Sequence, residues 1–344
     1  MQQDEHQHRG MEIGLYTLGD IVPDPLTGST ISARQRLEEI IAAARLAEEA
    51  GLDVFGVGEH HRLDFAVSSP AVVLAAISRV TKRIKLTSAT TVLNTVDPVR
   101  LFEDFATLDL LSGGRAEIIA GRGAFIESFP LFGYDLDRYD ELFEEHLKLL
   151  MELNAHERVN WQGRFRPALR IAEIAPRPLQ RRIPLWVGVG GSLESAARAG
   201  RLGVGLAMAI LGGDPERFRP LADQYRRAAG EAGQPSKCVN ICVTGHTYIG
   251  ETNEKAKREY APYHANYWKH FNRDLDPAAA PEPALFIGSP QQIIENILRQ
   301  YEWFGHRRFL AQMDIGGLPF AMIARGIEQL AVEVAPAVRR ATSK

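Results

Sequence analysis

Val54-Phe55-Gly56-Val57-Gly58-Glu59-His60-His61 runs from strand-like residues into a polar tip. Its apolar half has the composition of a buried strand, and its acid and two histidines come only at the C-terminal end. In parallel β/α proteins that end is where binding and catalytic groups gather. Successive strand side chains alternate faces, so Gly56, Gly58 and His60 share one face and Phe55, Val57 and Glu59 the other. Phe55 and Val57 suit packing beneath helices. His60 is therefore expected to face inward, above two glycines that leave room for a large flat ligand.

Working outward, strand-like and helix-like segments alternate. Glu12 to Gly19 reads as a first strand, followed by a loop from Asp20 to Thr30. Ser32 can cap a helix that runs to Ala50 and stops at Gly51. Pro70 to Val80 reads as a second helix, and Ile84 to Leu93 as one continuous third strand. Asp97-Pro98 starts a third helix that stops at Gly113-Gly114, and Ala116 to Ala120 is a fourth strand. A fourth helix is expected from about Asp137 to Leu153. The rhythm then breaks, because Arg158 to Arg170 has the pattern of a hairpin. It resumes with strands over Pro184 to Val189, Val204 to Leu211, Val239 to Ile249 and Arg308 to Ile315. Helices are expected from Ser192 to Ala199, Asp214 to Ala232, Thr252 to Phe271, Ser289 to Trp303 and Pro319 to Arg340. Repeated strand–helix units predict a parallel sheet with helices outside. Eight of them favour a closed (β/α)8 TIM barrel over an open doubly wound sheet. Residues 11–344 are expected to form one domain with insertions near 155–183 and 272–288. Residues 1–10 are polar and read as a flexible lead-in, with Met11 as an alternative start.

The chain has 344 residues, 45% of them hydrophobic, and a net charge of -3. Acids and bases are interspersed, which gives no footprint for nucleic acid or an anionic membrane. No apolar run approaches a membrane span, so a cytoplasmic protein is expected. Cys238 and Cys242 are four apart in one expected strand, too distant to pair without a turn.

Several tips could carry chemistry. Glu59-His60-His61 admits three readings: metal ligands, a structural histidine bonding a loop, and an inward functional His60. The metal reading suffers because neighbouring strand residues diverge and His246 is the only other strand-end histidine. Thr87-Ser88-Ala89-Thr90-Thr91 offers hydroxyls to a polar ligand edge, or simply β-propensity. Gly121-Arg122-Gly123 and Gly190-Gly191-Ser192 let backbone N–H groups approach an anion, with a guanidinium fork and a helix N-terminus beside it. Together at one barrel end they point to a phosphate-bearing ligand. No G-x-G-x-x-G follows a strand, and there is no P-loop or G-x-S-x-G elbow. The aromatic run Tyr260, Tyr263, Tyr267, Trp268 reads as core or contact surface, with a pocket wall as the other option.

These motifs in this order resemble the bacterial luciferase-like monooxygenases, flavin-dependent enzymes on a (β/α)8 barrel. The likeness rests on Glu59-His60-His61, Asp97-Pro98-Val99-Arg100, and Leu108 to Arg115 leading into Gly121-Arg122-Gly123. Pro184-Leu185-Trp186-Val187-Gly188 with Gly190-Gly191-Ser192, and Gly288-Ser289-Pro290, extend it over nearly the whole chain after Met11. The resemblance implies FMN at the barrel mouth, with His60 beside its reacting edge as acid/base or hydrogen-bond partner. It implies a cis peptide at Ala89-Thr90 against the ring system, and Arg122, Gly190, Gly191 and Ser192 at the phosphate. Glu59 and Gly121 would line the same pocket. Gly121 stands where the luciferases proper carry a reactive cysteine, so cysteine chemistry is not implied. Reduced FMN supplied by a separate flavin reductase would react with oxygen and oxidise a small-molecule substrate. The first loop and the insertion around Trp161 would serve as a lid, and a homodimer is implied. An F420-dependent hydride-transfer enzyme, a non-catalytic flavin-binding protein and a metal-dependent hydrolase using His60, His61 and His246 are the alternatives.

Overall fold

Each apolar strand of the sequence has two faces to bury, and the chain does so by curling the sheet into a closed ring. A computed structural model describes residues 10–123, 125–271 and 286–343. The ring consists of β1 (Glu12–Thr17), β2 (Val54–Val57), β3 (Lys85–Ser88), β4 (Ala116–Gly121), β5 (Leu185–Val189), β6 (Gly205–Ala209), β7 (Ile241–Ile249) and β8 (Arg308–Gln312). Every neighbouring pair is parallel. Pairing of Ile241 through Thr244 with Leu206 through Ala209 closes it. Around it lie α1 (Ala33–Glu49), α2 (Pro70–Val80), α3 (Pro98–Ser112), α4 (Tyr139–Ala155), α5 (Leu193–Leu202), α6 (Arg219–Glu231), α7 (Asn253–Phe271), α8 (Pro290–Phe304) and α9 (Phe320–Gln329). A π-helical turn, Leu330–Val334, joins α9 to a last helix, Ala335–Thr342.

The helix starts follow from capping chemistry. Ser32, Asp97, Ser192 and Ser289 each accept a backbone N–H of the helix they precede. Such caps satisfy donors that the first turn leaves free. Outward strand residues such as Leu15, Phe55, Val57, Leu86, Ile118, Val187, Leu206, Val243 and Phe309 join the main core beneath the helices. Burying each stabilises the fold by roughly 1.5–3 kcal/mol.

The inward residues form a second, smaller cluster of Tyr16, Val54, Ala89, Ile119, Trp186, Ala207, Cys242 and Leu310. Below it the barrel floor is ionic. Arg308 donates to Glu117 at 2.5 and 3.1 Å and to Glu12 at 2.8 Å, while Lys85 reaches Glu12 at 2.5 Å. Trp186 Nε1 donates to Glu117 at 3.2 Å, and the Arg308 guanidinium lies 4.6 Å from the Trp186 ring centroid. Burial alone would raise the Glu117 pKa, but Arg308 and Lys85 hold it down at about 2. Removing one partner would leave an uncompensated buried charge, which costs about 3–5 kcal/mol. The network plugs the N-terminal end of the ring, so space is left only at the C-terminal end.

Local differences from the expected elements have physical causes. The third strand is interrupted: β3 stops at Ser88, and a short Thr91–Val92 strand pairs separately with β4. The break falls on Ala89-Thr90, whose peptide is cis. β2 ends at Val57, so residues 58–61 are loop and strand alternation does not orient them. A short helix, Ser128–Phe132, precedes α4, and a one-turn 3₁₀ segment, Pro215–Phe218, precedes α6. The hairpin is present, with Arg158–Trp161 antiparallel to Leu169–Glu173. Within the second expected insertion, Phe286–Gly288 is a strand parallel to the outer end of β7, and the rest lies outside the described residues. Cys238 sits in a 3₁₀ turn and Cys242 in β7, both as free thiols rather than on one strand face.

Candidate functional site

The open end of the barrel holds a cavity of about 600 Å³, within the range of small-molecule and cofactor sites. It exists because inward residues shrink toward the strand C-termini. Ala89, Gly121, Gly188, Ala207 and Ala209 line it where Glu117, Trp186 and Arg308 fill the floor. Leu18, Val92, Ile119, Leu211, Phe218 and Trp268 make the remaining wall largely apolar.

Glu59 and His60 both line this cavity. The expectation that Glu59 faces away from His60 fails because the strand has already ended. Glu59 instead accepts the Val92 backbone N–H at 3.0 Å and meets His61 Nε2 at 2.9 Å. It thereby ties the loop after β2 to the segment that follows the cis peptide. His61 turns away to an edge contact with Phe132, 4.9 Å between centroids. The two histidines therefore do not converge on a metal. Among the described residues no group of three or more His, Cys, Asp or Glu could hold one.

His60 is held by stacking. Its ring lies on Phe65 at 4.0 Å and 12°, with Phe125 edge-on at 5.2 Å. Burial, with Arg62 nearby, lowers its pKa to about 3. At neutral pH the imidazole is therefore held uncharged, the form that can accept a proton or a hydrogen bond, and its buried Nδ1 has no partner among the described residues.

The glycines of the quoted stretch also act differently from expected. A Cβ on Gly56 would come within 2.8 Å of Ala89 Cβ and 3.0 Å of Tyr16 Cβ, and one on Gly58 within 2.5 Å of Leu18. Their missing side chains admit Ala89, Tyr16 and Leu18, and those residues face the cavity in turn. Gly121 does the same for Thr90, whose Oγ1 would lie 2.3 Å from an added Cβ.

Arg122 lines the rim, stacked 5.2 Å from the Tyr139 ring centroid and paired with Asp140 at 2.5 Å. Gly190 lines the cavity beside it, and a Cβ on Gly190 or Gly191 would meet nothing within 4 Å. Ser192 caps α5 through the Ser195 N–H at 3.2 Å. β4 and β5 are neighbours, so Arg122 and this turn stand side by side.

Several lining residues escaped the motif reading. Tyr16 is hydrogen-bonded to Thr244, and burial raises its pKa. Gln312 ends β8 at the same level, fully buried with no partner for either amide atom. Arg217, in the 3₁₀ turn after β6, donates to the Gly212 carbonyl at 2.8 Å. Inward parity along β1, β7 and β8 was the available signal for the first three. Trp268 is the one member of the aromatic run on the cavity, while Tyr260, Tyr263 and Tyr267 are core. His246 is fully buried against Tyr267 and Trp268, and burial lowers its pKa to about 3. No hairpin residue lines the cavity. The hairpin is fastened to Asp97 by Arg166 at 3.1 Å and to Glu145 by backbone N–H groups of residues 164 and 165. The first loop is likewise tied to α7, where Asn266 donates to the Pro23 carbonyl at 2.8 Å. Both observations argue against the lid roles expected of these segments.

A wide chamber, a glycine turn with open space and a guanidinium at the rim are groups that suit a phosphate-bearing flavin. The luciferase-like monooxygenase family model matches residues 11–307. The N-acetyl-S-alkylcysteine monooxygenase of Bacillus subtilis (strain 168) is 28% identical over 242 residues, 69% of each chain. The oxygenase component of a flavin-dependent trigonelline monooxygenase from Acinetobacter baylyi is 23% identical over 336 residues, covering 88% of this chain and 90% of its own. A solved monooxygenase from Streptomyces bottropensis superimposes with a TM-score of 0.81 at 25% identity, over 95% of this chain and 99% of that one.

Proposed function

The chain belongs to the luciferase-like monooxygenase family, and from that premise we propose that it is an FMN-dependent monooxygenase acting on a small organic substrate. The observation that carries this reading is the cavity itself, where Arg122 and Gly190 stand at one rim of a largely apolar chamber. Arg122 and the Gly190-Gly191-Ser192 turn would take the phosphate. A guanidinium fork and the free N–H groups of a helix start both suit that dianion. Ala89, Thr90 and Gly121 would bound the ring system, with Glu59 holding the loop that carries His60.

When bound, the reduced flavin supplies the electrons that activate oxygen. The chain supplies the enclosure. Leu18, Val92, Ile119, Leu211, Phe218 and Trp268 exclude water, which protects a reactive oxidant from hydrolysis. His60 presents a neutral imidazole to the same space. Tyr16, Thr244 and Gln312 put polar groups at the deep end, which supports a substrate with an apolar body and one polar head.

Electrons would come from a separate flavin reductase, a reading supported by the trigonelline relative's description as an oxygenase component. No helix among the described residues is long and apolar enough to cross a membrane. A homodimer is also proposed, from the apolar surface of two adjoining helices. Val72 and Val80 on α2 are 70% and 44% exposed, and Leu110 and Leu111 on α3 are 47% and 46% exposed. An F420-dependent hydride-transfer enzyme is the alternative reading, since that cofactor also carries a phosphate that the same rim would suit.

The test is a titration with FMN and riboflavin followed by flavin fluorescence. FMN should bind more tightly than riboflavin. Arg122→Ala should weaken FMN by about 10- to 100-fold and riboflavin far less, as expected for a charged hydrogen bond. Equal weakening of the two would reject the phosphate contact, and stoichiometric zinc without flavin affinity would reject the reading as a whole.

A further inference from the structure

The geometry points to Asp140 as a built-in competitor for the flavin phosphate. It rests on the reading of the cavity as an FMN site and concerns how tightly that site holds its ligand.

Arg122 is not a waiting cation. Its Nη1 is 2.5 Å from the Asp140 carboxylate, so one arm of the fork is already engaged. The two partners are fixed very differently. Arg122 is only 24% exposed and rests on the Tyr139 ring at 5.2 Å. Tyr139 is itself pinned, its hydroxyl donating to the Gly123 carbonyl at 2.9 Å. That bond clamps the aromatic support to the turn that carries Arg122. Asp140 is 67% exposed and lies in the first turn of α4. The next acid, Glu141, serves Arg138 and Arg164 instead. The cation is therefore held in place, while the carboxylate can swing into water at little cost.

A phosphate outcompetes a carboxylate at such a fork because it carries about -1.5 to -2 charge and more acceptor oxygens. It does so at a loss, since binding breaks one ion pair and leaves a carboxylate beside a dianion. An exposed pair contributes only a few-fold to such an equilibrium. With repulsion of similar size, Asp140 should weaken FMN by about 3- to 10-fold. Neutral riboflavin does not feel this. Asp140 thus sets how far the site prefers a phosphorylated flavin, and keeps that flavin exchangeable with its supplier.

The experiment is Asp140→Asn in the full chain, titrated with FMN and with riboflavin at low and moderate salt. Asparagine keeps the shape and removes the charge. FMN should bind about 3- to 10-fold more tightly, most clearly at low salt, with riboflavin within about twofold. Asp140→Ala should move FMN in the same direction, and either variant should tighten FMN by clearly less, about 2- to 3-fold, once Arg122 is alanine, because only the repulsion is then relieved. FMN affinity unchanged or weakened in both variants, with thermal midpoints like the wild type, would overturn the inference. It would mean that Asp140 orients Arg122 rather than competing for it. Wild-type protein that binds neither flavin would overturn the FMN reading itself.

Discussion

Acidification should unfold this protein earlier than its carboxylates alone would, because four histidines are held uncharged. Burial lowers the pKa of His60, His246 and His306 from 6.5 to about 3 each, and that of His264 to about 4. Below pH of about 6.5 the unfolded chain takes up these protons and the folded chain does not. Their contribution is complete above that pH and is lost as pH falls toward about 3. Each loses about 1.4 kcal/mol per pH unit, or about 2.7 kcal/mol between pH 6.5 and 4.5. Asp20 works in the opposite direction. Burial, reinforced by Asp314 and opposed by Arg36, raises its pKa from 3.8 to about 7. Its protonated form is the one the fold accommodates, so it offsets about one histidine across that window. Glu117 and Glu12, whose pKa values are lowered, act only below their ordinary value of 4.5. The net loss is about 7 kcal/mol, a large share of a stability of roughly 5–15 kcal/mol. Urea unfolding followed by circular dichroism at several pH values between about 7 and 4.5 measures it. His246→Phe should reduce the slope by about the share of one histidine. A free energy flat to within about 1 kcal/mol over that window would refute the buried-neutral assignment.

Two further perturbations address the site. Gly121→Ala forces a Cβ to 2.3 Å from Thr90 Oγ1 and 2.9 Å from its Cβ; it should cost about 1–3 kcal/mol in thermal unfolding and loosen flavin binding. Adding Thr90→Ala removes the shorter contact, so the double variant should recover part of the loss, and strictly additive losses would contradict the clash. His60→Ala should leave FMN affinity within about threefold while lowering substrate oxidation by about 100-fold. A wild-type rate profile with an inflection near the ordinary histidine pKa that disappears in His60→Ala would show that His60 does titrate in the working range.

The barrel was legible because its signals are local and repeated. Ser32 and Asp97 are cap residues by type, Ser289-Pro290 marks a helix start, and all three side chains accept N–H groups of the helix that follows. Outward residues such as Phe55 and Val57 have no destination except the helix layer. What escaped depends on where a strand stops. One strand over residues 84–93 satisfied the composition, yet the chain breaks it at Ala89-Thr90. Ending β2 at Val57 likewise frees Glu59 and His60 to share the cavity. The orienting partner of His60, Phe65, lies in the loop beyond and has no periodic relation to it.

The cavity itself was readable in principle, though not from any motif. Along the inward faces of β4 and β5, side-chain volume falls from the N-terminal to the C-terminal end. β4 runs Glu117, Ile119, Gly121, and β5 runs Trp186, Gly188. β3 is followed by Ala89, and β6 is small throughout with Gly205, Ala207 and Ala209. Gly205 is small because the Trp186 ring occupies its Cβ position, 2.2 Å away. Size is thus concentrated at the floor, where Arg308 and Glu117 neutralise one another, and withheld at the mouth. A barrel filled evenly to native density would have no such chamber. Closing the bottom with an ion pair leaves space at the mouth, where Arg122 is among the lining residues, so the charge state of that rim bears on what binds. For this reason the carboxylate of Asp140, legible only as one more surface acid, bears more on ligand choice than the histidine pair that first drew notice.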